Sequence, residues 1–255
     1  EIRRLFLKIA VSIQLEGNYP DYKILPAQFE NLTQARLFKL LEFKRGIDVV
    51  FLAYTPERAR KARMIPIPIL QGTIGYRVFI IDKKYKQKFS RITLKELKAL
   101  RAGAGAHWGD TSILEENGFN VVKPLEKSNL FNMLIRDRID YFPRSFIEAP
   151  IEVEQLNQMV GEERFIVEET KAFFYEFPIY YYVHKENEQL AKRIEAGFKK
   201  AQRLGIIKTR FRKYYEKELR EANFENKTVF RLPNTHFPPG FESSIDTSEW
   251  LPKRK

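Results

Sequence analysis

A single arginine, Arg58, stands in this chain where a ligand-binding side chain is most expected. The nearly continuous apolar run at residues 47–52 predicts a strand buried in a mostly parallel sheet. Thr55 follows as a helix N-cap, with a proline at the first helical position. Arg58 would then lie one turn into a helix, beyond the carboxyl end of the strand, which is the edge where open α/β sheets bind ligands. Its guanidinium could donate paired hydrogen bonds to an anionic group, or it could be a solvent-exposed arginine paired with Glu57 or Glu42.

A second group of candidate residues lies in the turn at residues 106–111, which reads Ala-His-Trp-Gly-Asp-Thr. Trp108 could form a flat apolar or cation-attracting wall, and Thr111 could offer a hydroxyl. The alternative is purely structural, with Asp110 as the N-cap of the next helix and Trp108 in the core.

The composition limits the classes of partner. The chain has 255 residues, of which 44% are hydrophobic and 31% charged, so it can bury a sizeable core. Its net charge of +12 is spread along the chain, with 45 Lys and Arg residues mixed among 33 acidic ones. We therefore expect no nucleic-acid partner, the alternative being a basic binder that uses the helix predicted at residues 210–220.

The sequence has few features of an enzyme. It has no cysteine, which excludes disulfides, zinc thiolate sites and thiol nucleophiles. Its three histidines, His107, His184 and His236, do not have the spacing of metal ligands. No nucleophile elbow or phosphate-binding glycine loop is present. We expect a protein without catalytic residues, metal or cofactor.

Strands and helices alternate along the chain with short connectors, which predicts an α/β fold. A helix, an arginine and a strand opened by Ile-Asp occur twice, at Arg45 and at Arg138, which indicates two similar lobes. We expect the chain to cross between the lobes near residues 82–88 and again near 174–180. Lobe 1 would then comprise residues 1–84 and 178–255, and lobe 2 residues 85–177. A short strand is expected at residues 22–26, and the tail from residue 223 is expected to wrap lobe 1 as irregular structure.

The helix ending in Arg-Gly, the strand Ile-Asp-Val-Val and the turn Thr-Pro-Glu-Arg resemble the family 3 solute-binding proteins of bacterial ABC transporters. The resemblance implies the two-lobed type II periplasmic-binding fold, with mixed sheets flanked by helices and a hinge of two crossing segments. It also implies that Arg58 forms a fork to the ligand's carboxylate, beside Tyr54 and Thr55. In that family, the turn that corresponds to Trp108–Asp110–Thr111 holds the same carboxylate with backbone N–H groups and a hydroxyl.

The sequence departs from this family at Arg144 and Ser145. Amino-acid binders of the family place an acidic residue about where Ser145 falls, and that residue pairs with the ligand's ammonium. The departure favours a ligand with more negative charge than a standard amino acid. The alternative for Arg144 is a surface ion pair with Glu148.

The function implied by the resemblance is that of an extracytoplasmic solute-binding protein for an ABC-type transporter. It would close as a monomer on a small carboxylate-bearing solute, amino-acid-like or more anionic, and present it to a membrane permease. It would be periplasmic, with its signal peptide removed, and the strand that the family has before the first helix is missing from the sequence. The alternatives are a ligand-sensing or signalling domain on the same fold, and an enzyme that reuses the fold.

Overall fold

A computed structural model describes residues 2–27, 32–70 and 72–236 of the chain. The chain forms two compact units. Unit 1 contains the described residues up to Gly72 together with Pro178–Glu216, and unit 2 contains Thr73–Phe177 and Lys217–Thr235.

Helices and strands alternate along most of the chain, as predicted. The helices are α1 (Ile2–Ser12), α2 (Gln34–Glu42), α3 (Pro56–Lys61), α4 (Lys86–Arg91), α5 (Leu94–Ala99), α6 (Thr111–Glu116), α7 (Lys127–Ile135), α8 (Ala149–Val160), α9 (Glu188–Arg203), α10 (Ile206–Tyr214) and α11 (Glu216–Ala222). The strands are β1 (Val49–Ala53), β2 (Ala62–Met64), β3 (Tyr76–Asp82), β4 (Arg101–Gly103), β5 (Asn120–Val122), β6 (Phe142–Ser145), β7 (Phe165–Val167), β8 (Lys171–Phe174), β9 (Ile179–His184) and β10 (Thr228–Arg231).

Unit 1 is built on a sheet with the strand order β1-β9-β2. The central strand β9 contains three consecutive tyrosines at residues 180–182, and consecutive side chains point to opposite faces. Tyr180 and Tyr182 pack with Phe38 and other residues of α2 in one cluster, whereas the Tyr181 ring contacts Phe198 of α9 at an edge. The sheet therefore has α2 on one face and α9 on the other.

Two expectations for unit 1 are wrong. Strand β1 is antiparallel to β9 and lies at an edge of this sheet, where Phe51 is 40% exposed, so the sheet is not the mostly parallel one that the apolar run suggested. An apolar run does not distinguish a parallel strand from one packed against helices on both sides. Residues 22–26 have no regular structure, because no neighbouring strand pairs with them among the described residues.

Helix α1 is fixed to α9 by a buried arginine and a glycine. The guanidinium of Arg193 donates hydrogen bonds to the carbonyls of Ala10, Val11 and Ile13, at the negative end of the α1 dipole. One turn further along α9, Gly197 lies directly against Ala10, and a Cβ atom there would overlap the Ala10 carbonyl oxygen. The two helices therefore approach at a distance that only glycine permits.

We predict that Gly197→Ala destabilises the protein, although glycine to alanine in a helix normally stabilises by about 0.5–1 kcal/mol. The overlap with Ala10 should instead cost about 1–3 kcal/mol, because the backbone of α1 has to move. Chemical denaturation measures the change in the free energy of unfolding. Lys192→Ala on the exposed side of α9 is the control and should change stability by less than about 0.5 kcal/mol. A Gly197→Ala protein as stable as the native one would contradict the close approach.

Unit 2 contains a five-stranded sheet with the order β10-β8-β3-β6, in which β7 also pairs with β3. All seven residues of β3 are buried. Strands β4 and β5 form a separate parallel pair. At the start of β4, Asp140 accepts hydrogen bonds from the backbone and side chain of Arg101. Burial alone would raise the pKa of Asp140, but these bonds outweigh it and lower the pKa below its usual value.

The pairing of β3 and β10 corrects the expected lobe boundaries. The chain changes unit between Gly72 and Thr73, not at residues 82–88, because β3 pairs with β6, β7 and β8 of unit 2. Strand β10 pairs in parallel with β8, so this part of the tail is regular and belongs to unit 2. The remainder of the predicted tail, residues 237–255, lies outside the described residues. Within the described part of the chain, no helix combines the length and apolar character needed to cross a lipid bilayer.

Candidate functional site

The turn that positions Arg58 in unit 1 forms as predicted. Thr55 has extended backbone angles and its hydroxyl accepts a hydrogen bond from the backbone N–H of Arg58 at 3.2 Å. Pro56 occupies the first turn of α3, where its missing N–H has no cost. Tyr54 precedes the cap and is tied to the end of β9 by a 3.1 Å bond from its backbone N–H to the carbonyl of Pro178. Arg58 is thus fixed close to the carboxyl end of β1.

The guanidinium of Arg58 is buried without a carboxylate partner among the described residues. The side chain is only 9% exposed. Its Nη1 donates to the carbonyl oxygen of Ala53 at 2.8 Å, and its Nη2 donates to Oε1 of Gln34 at 3.4 Å. The alternative of a solvent-exposed arginine paired with Glu57 is wrong, because Glu57 pairs with Lys61 at 2.6 Å. Two of the five guanidinium N–H groups are engaged in these contacts, which leaves donors for another acceptor.

Tyr182 lies close to this cation, and Tyr54 and Tyr180 lie close to Tyr182. Burial lowers the pKa of Arg58, and the field of Tyr182 partly opposes that shift. Burial raises the pKa of Tyr180 and of Tyr182, so both phenols stay neutral. The Tyr182 hydroxyl is buried and has no hydrogen-bond partner among the described residues. Tyr54 is close enough to influence both phenols. Glu57 also acts on Arg58 through space, but it makes no ion pair with it.

In unit 2, Asp110 is buried against Arg77. Asp110 is the N-cap residue of α6 by position, but its carboxylate does not cap the helix. It accepts instead from Nη2 of Arg77 at 3.0 Å and from the hydroxyl of Tyr175 at 3.1 Å. The guanidinium of Arg77 also lies over the ring of Phe177, 5.0 Å from its centroid. The N-cap alternative therefore holds for the backbone position of Asp110 and not for its side chain.

Arg144 pairs with Glu148, as the structural alternative proposed, but the pair is buried and not on the surface. Its Nε and Nη2 donate to the two carboxylate oxygens of Glu152 at 2.6 and 2.8 Å, and Nη2 also lies 3.1 Å from Glu148. Burial alone would lower the pKa of Arg144, but these two carboxylates outweigh it and raise the pKa. Lys127 adds a third cation, 2.5 Å from Glu152. This group of Arg77, Asp110, Lys127, Arg144, Glu148 and Glu152, hereafter the unit 2 charge network, contains three cations and three carboxylates.

The other predicted residues of unit 2 pack around this network. Trp108 is half-buried, with the Arg144 guanidinium 4.5 Å from its ring centroid. Thr111 donates its hydroxyl to the carbonyl of Gly105 at 2.7 Å. Ser145 is fully buried, and its Oγ has no hydrogen-bond partner within the described ranges. Because Arg144 is already paired with two carboxylates, its charge does not by itself favour a more anionic ligand, and that expectation now depends on the lack of an acidic residue at Ser145.

The structure divides the eight predicted residues between the two units. Tyr54, Thr55 and Arg58 are in unit 1, whereas Trp108, Asp110, Thr111, Arg144 and Ser145 are in unit 2. Sequence reasoning missed Gln34 and Tyr182 in unit 1 and Arg77 and Glu152 in unit 2. Arg77 had a detectable signal, since it is the one basic residue in the apolar run of β3. No group of three or more His, Cys, Asp or Glu side chains in the described residues is arranged to hold a metal ion.

Solved structures identify the fold. An ancestral arginine-binding protein bound to arginine is 19% identical, with a TM-score of 0.58, and the match covers 85% of this chain and 86% of that one. An amino acid ABC transporter substrate-binding protein from Streptococcus pneumoniae, bound to L-arginine, is 14% identical with a TM-score of 0.51, over 71% and 72% of the two chains. A histidine kinase sensor domain with similarity to periplasmic binding proteins is 16% identical with a TM-score of 0.51, over 71% and 75%.

No protein-family model and no curated protein matches the chain. The structural matches nevertheless show its fold, which is the mixed α/β, type II periplasmic-binding fold of amino acid ABC transporter substrate-binding proteins. The resemblance that the sequence predicted is confirmed at this level. The same fold occurs in a sensor domain as well as in transport proteins.

Proposed function

We propose that this chain is an extracytoplasmic solute-binding protein that binds a small, carboxylate-bearing solute of amino-acid type for an ABC-type membrane transporter. The observation on which the proposal rests is the guanidinium of Arg58, which is buried with no carboxylate partner among the described residues. Arg58 lies in the first turn of α3, directly after the carboxyl end of β1. The proteins of similar fold that bind amino acids support the same class of ligand.

The buried cation of Arg58 carries a free-energy cost. Removing a guanidinium from water is unfavourable, and neutral acceptors such as the Ala53 carbonyl and the Gln34 amide offset only part of that cost. A bidentate carboxylate would supply both charge and hydrogen bonds, each bond to a charged group contributing about 1.5–3 kcal/mol. The site is therefore best satisfied when an anionic group is bound. The neutral phenols beside it add no repulsion to such a group.

A thermal-shift screen tests this proposal. The screen contains amino acids, dicarboxylates, short peptides and phosphorylated metabolites, together with amines that are decarboxylated amino acids. A ligand present at about 100 times its dissociation constant should add about 2.7 kcal/mol to the free energy of unfolding. We expect at least one amino acid to stabilise the protein and its decarboxylated amine to have no effect. If no carboxylate stabilises the protein, or if the amines do so equally, the proposal is wrong.

The second candidate is a ligand-sensing domain, which the similarity to a histidine kinase sensor domain favours. In both candidates the protein binds the solute, and the two differ in the partner that recognises the solute-bound protein. Deleting the gene should abolish uptake of the solute if the chain serves a transporter. Normal uptake with a lost response to the solute would favour the sensor. In either case the solute should be recovered chemically unchanged after incubation with the protein, whereas turnover would favour an enzyme on this fold.

A further inference from the structure

A strongly basic stretch of the chain lies largely outside the residues described so far. Residues 83–101 contain eight basic side chains and one acidic one, Glu96; the basic ones are Lys83, Lys84, Lys86, Lys88, Arg91, Lys95, Lys98 and Arg101. The stretch folds in unit 2 as a 3₁₀ turn, the helices α4 and α5, and the start of β4. Such a concentration of one sign of charge attracts anions to this surface.

Part of this charge is neutralised by ion pairs within unit 2. The pairs are Lys84 with Asp137 at 2.8 Å, Lys86 with Glu169 at 2.9 Å and Arg101 with Asp140 at 2.8 Å. Lys88 and Arg91 are exposed and make no ion pair with any described residue. Their charges therefore remain available to a ligand.

These two side chains line a surface cleft of about 370 Å³. This volume is within the range of about 300–1,000 Å³ that is typical of small-molecule sites. The cleft is lined by Lys88, Arg91, Ile92, Glu96, Ala99 and Leu100. Ile92 is buried and Leu100 is half-buried, so the cleft has both an apolar part and two cations.

Glu96, the one acidic residue of the cleft, has its carboxylate hydrogen-bonded in a helix cap. The Oε2 atom of Glu96 accepts hydrogen bonds from the backbone N–H and the hydroxyl of Thr93, at 2.8 and 2.7 Å, in a capping box that begins α5. These bonds lower the pKa of Glu96, so it stays charged, but they direct its carboxylate to the helix cap. Lys88 and Arg91 together still exceed this single negative charge.

We propose that this cleft is a binding site for a small organic anion, with a phosphate or carboxylate group held by Lys88 and Arg91 and a compact apolar body against Ile92 and Leu100. The site is distinct from Arg58, which belongs to unit 1, and it does not rest on the proposed transport function. A ligand bound there would be a second ligand of the protein.

Titration of the full chain followed by amide NMR tests the proposal, with inorganic phosphate, phenyl phosphate and benzoate as probes. We expect phenyl phosphate or benzoate to shift the amides of residues 86–100, and inorganic phosphate to bind more weakly because it lacks the apolar body. Stronger binding of phenyl phosphate assigns the site to phosphate esters, and stronger binding of benzoate assigns it to carboxylates. If no probe shifts these amides, the proposal is wrong.

Matched variants distinguish a specific binding site from general electrostatic attraction of anions to this surface. Lys88→Ala/Arg91→Ala should weaken binding of the better probe by at least about tenfold, since two charge-assisted contacts are lost. Lys83→Ala/Lys95→Ala removes the same charge outside the cleft and should change affinity by less than about twofold, because exposed charges at a distance are screened by salt. Equal weakening by both pairs would overturn the proposal. Arg58→Ala should leave this binding intact, so either proposal can fail without the other.

Discussion

Replacing Arg58 by alanine is expected to weaken binding of the amino-acid solute by at least about tenfold, because a bidentate contact to its carboxylate is lost. The fold should survive the change. Arg58 has no described carboxylate partner, so its removal leaves no buried charge unpaired and takes away the cost of burying a cation. Isothermal titration calorimetry with the ligand found in the thermal-shift screen measures the dissociation constant.

Arg60 provides the matched control, since it lies on the same short helix and is exposed. Arg60→Ala should leave the dissociation constant within about twofold of the native value, because an exposed charge contributes little. Arg58→Lys should also bind weakly, because an ammonium cannot form the planar two-point contact. An unchanged dissociation constant in Arg58→Ala would remove this residue from the site.

Replacing Glu152 by leucine is expected to produce the largest loss of stability, about 3–5 kcal/mol, because it leaves buried Arg144 without its bidentate partner. In a chain of this size the melting temperature should fall by about 2–4 °C for each kcal/mol. Chemical denaturation followed by circular dichroism measures the change. Lys127, which also pairs with Glu152, reaches solvent and should contribute little to the loss.

Two further variants distinguish the buried pair from helix α8 itself. Glu154→Leu, at an exposed position of the same helix, should change stability by less than about 0.5 kcal/mol. Arg144→Met/Glu152→Leu should be more stable than Glu152→Leu alone, because an apolar pair replaces a buried guanidinium that has lost its bidentate partner. If the double variant is less stable than Glu152→Leu alone, Glu152 is not the main partner of Arg144.

The local features of the site could be predicted because short-range chemistry determines them. Thr55 forms its helix cap as the sequence indicates, since the cap needs only a hydroxyl and an N–H three residues away. The resemblance to solute-binding proteins depended on such local motifs, and it predicted the fold correctly.

The partners of the charged residues could not be predicted, because they depend on strand register and on elements far apart in the chain. Arg77 is 33 positions from Asp110, and only the fold of unit 2 brings the two together. The boundary between the two units could not be predicted for the same reason. It depends on the pairing of β3 with β8, which assigns residues 76–82 to unit 2. The bidentate partner of Arg144 is a further example, since nothing near Arg144 in sequence identified Glu152.

Comparison of the buried arginines supports the central role of Arg58. Arg77 and Arg144 are paired with carboxylates of the unit 2 charge network, and Arg193 caps the carbonyl end of α1. Arg58 has one backbone carbonyl and one long contact to Gln34. Of these four, it is the one whose charge is matched by neither a described carboxylate nor a helix terminus.

The most direct test of this account measures four affinities, those of the native protein and of Arg58→Ala for an amino acid that binds and for its decarboxylated amine. If the guanidinium and the carboxylate contact each other, the native protein should bind the amine at least about tenfold more weakly than the amino acid. Arg58→Ala should bind the two with almost the same affinity. Equal losses in the two proteins would show that the carboxylate is bound elsewhere, and would contradict the assignment of Arg58 as the ligand-binding residue.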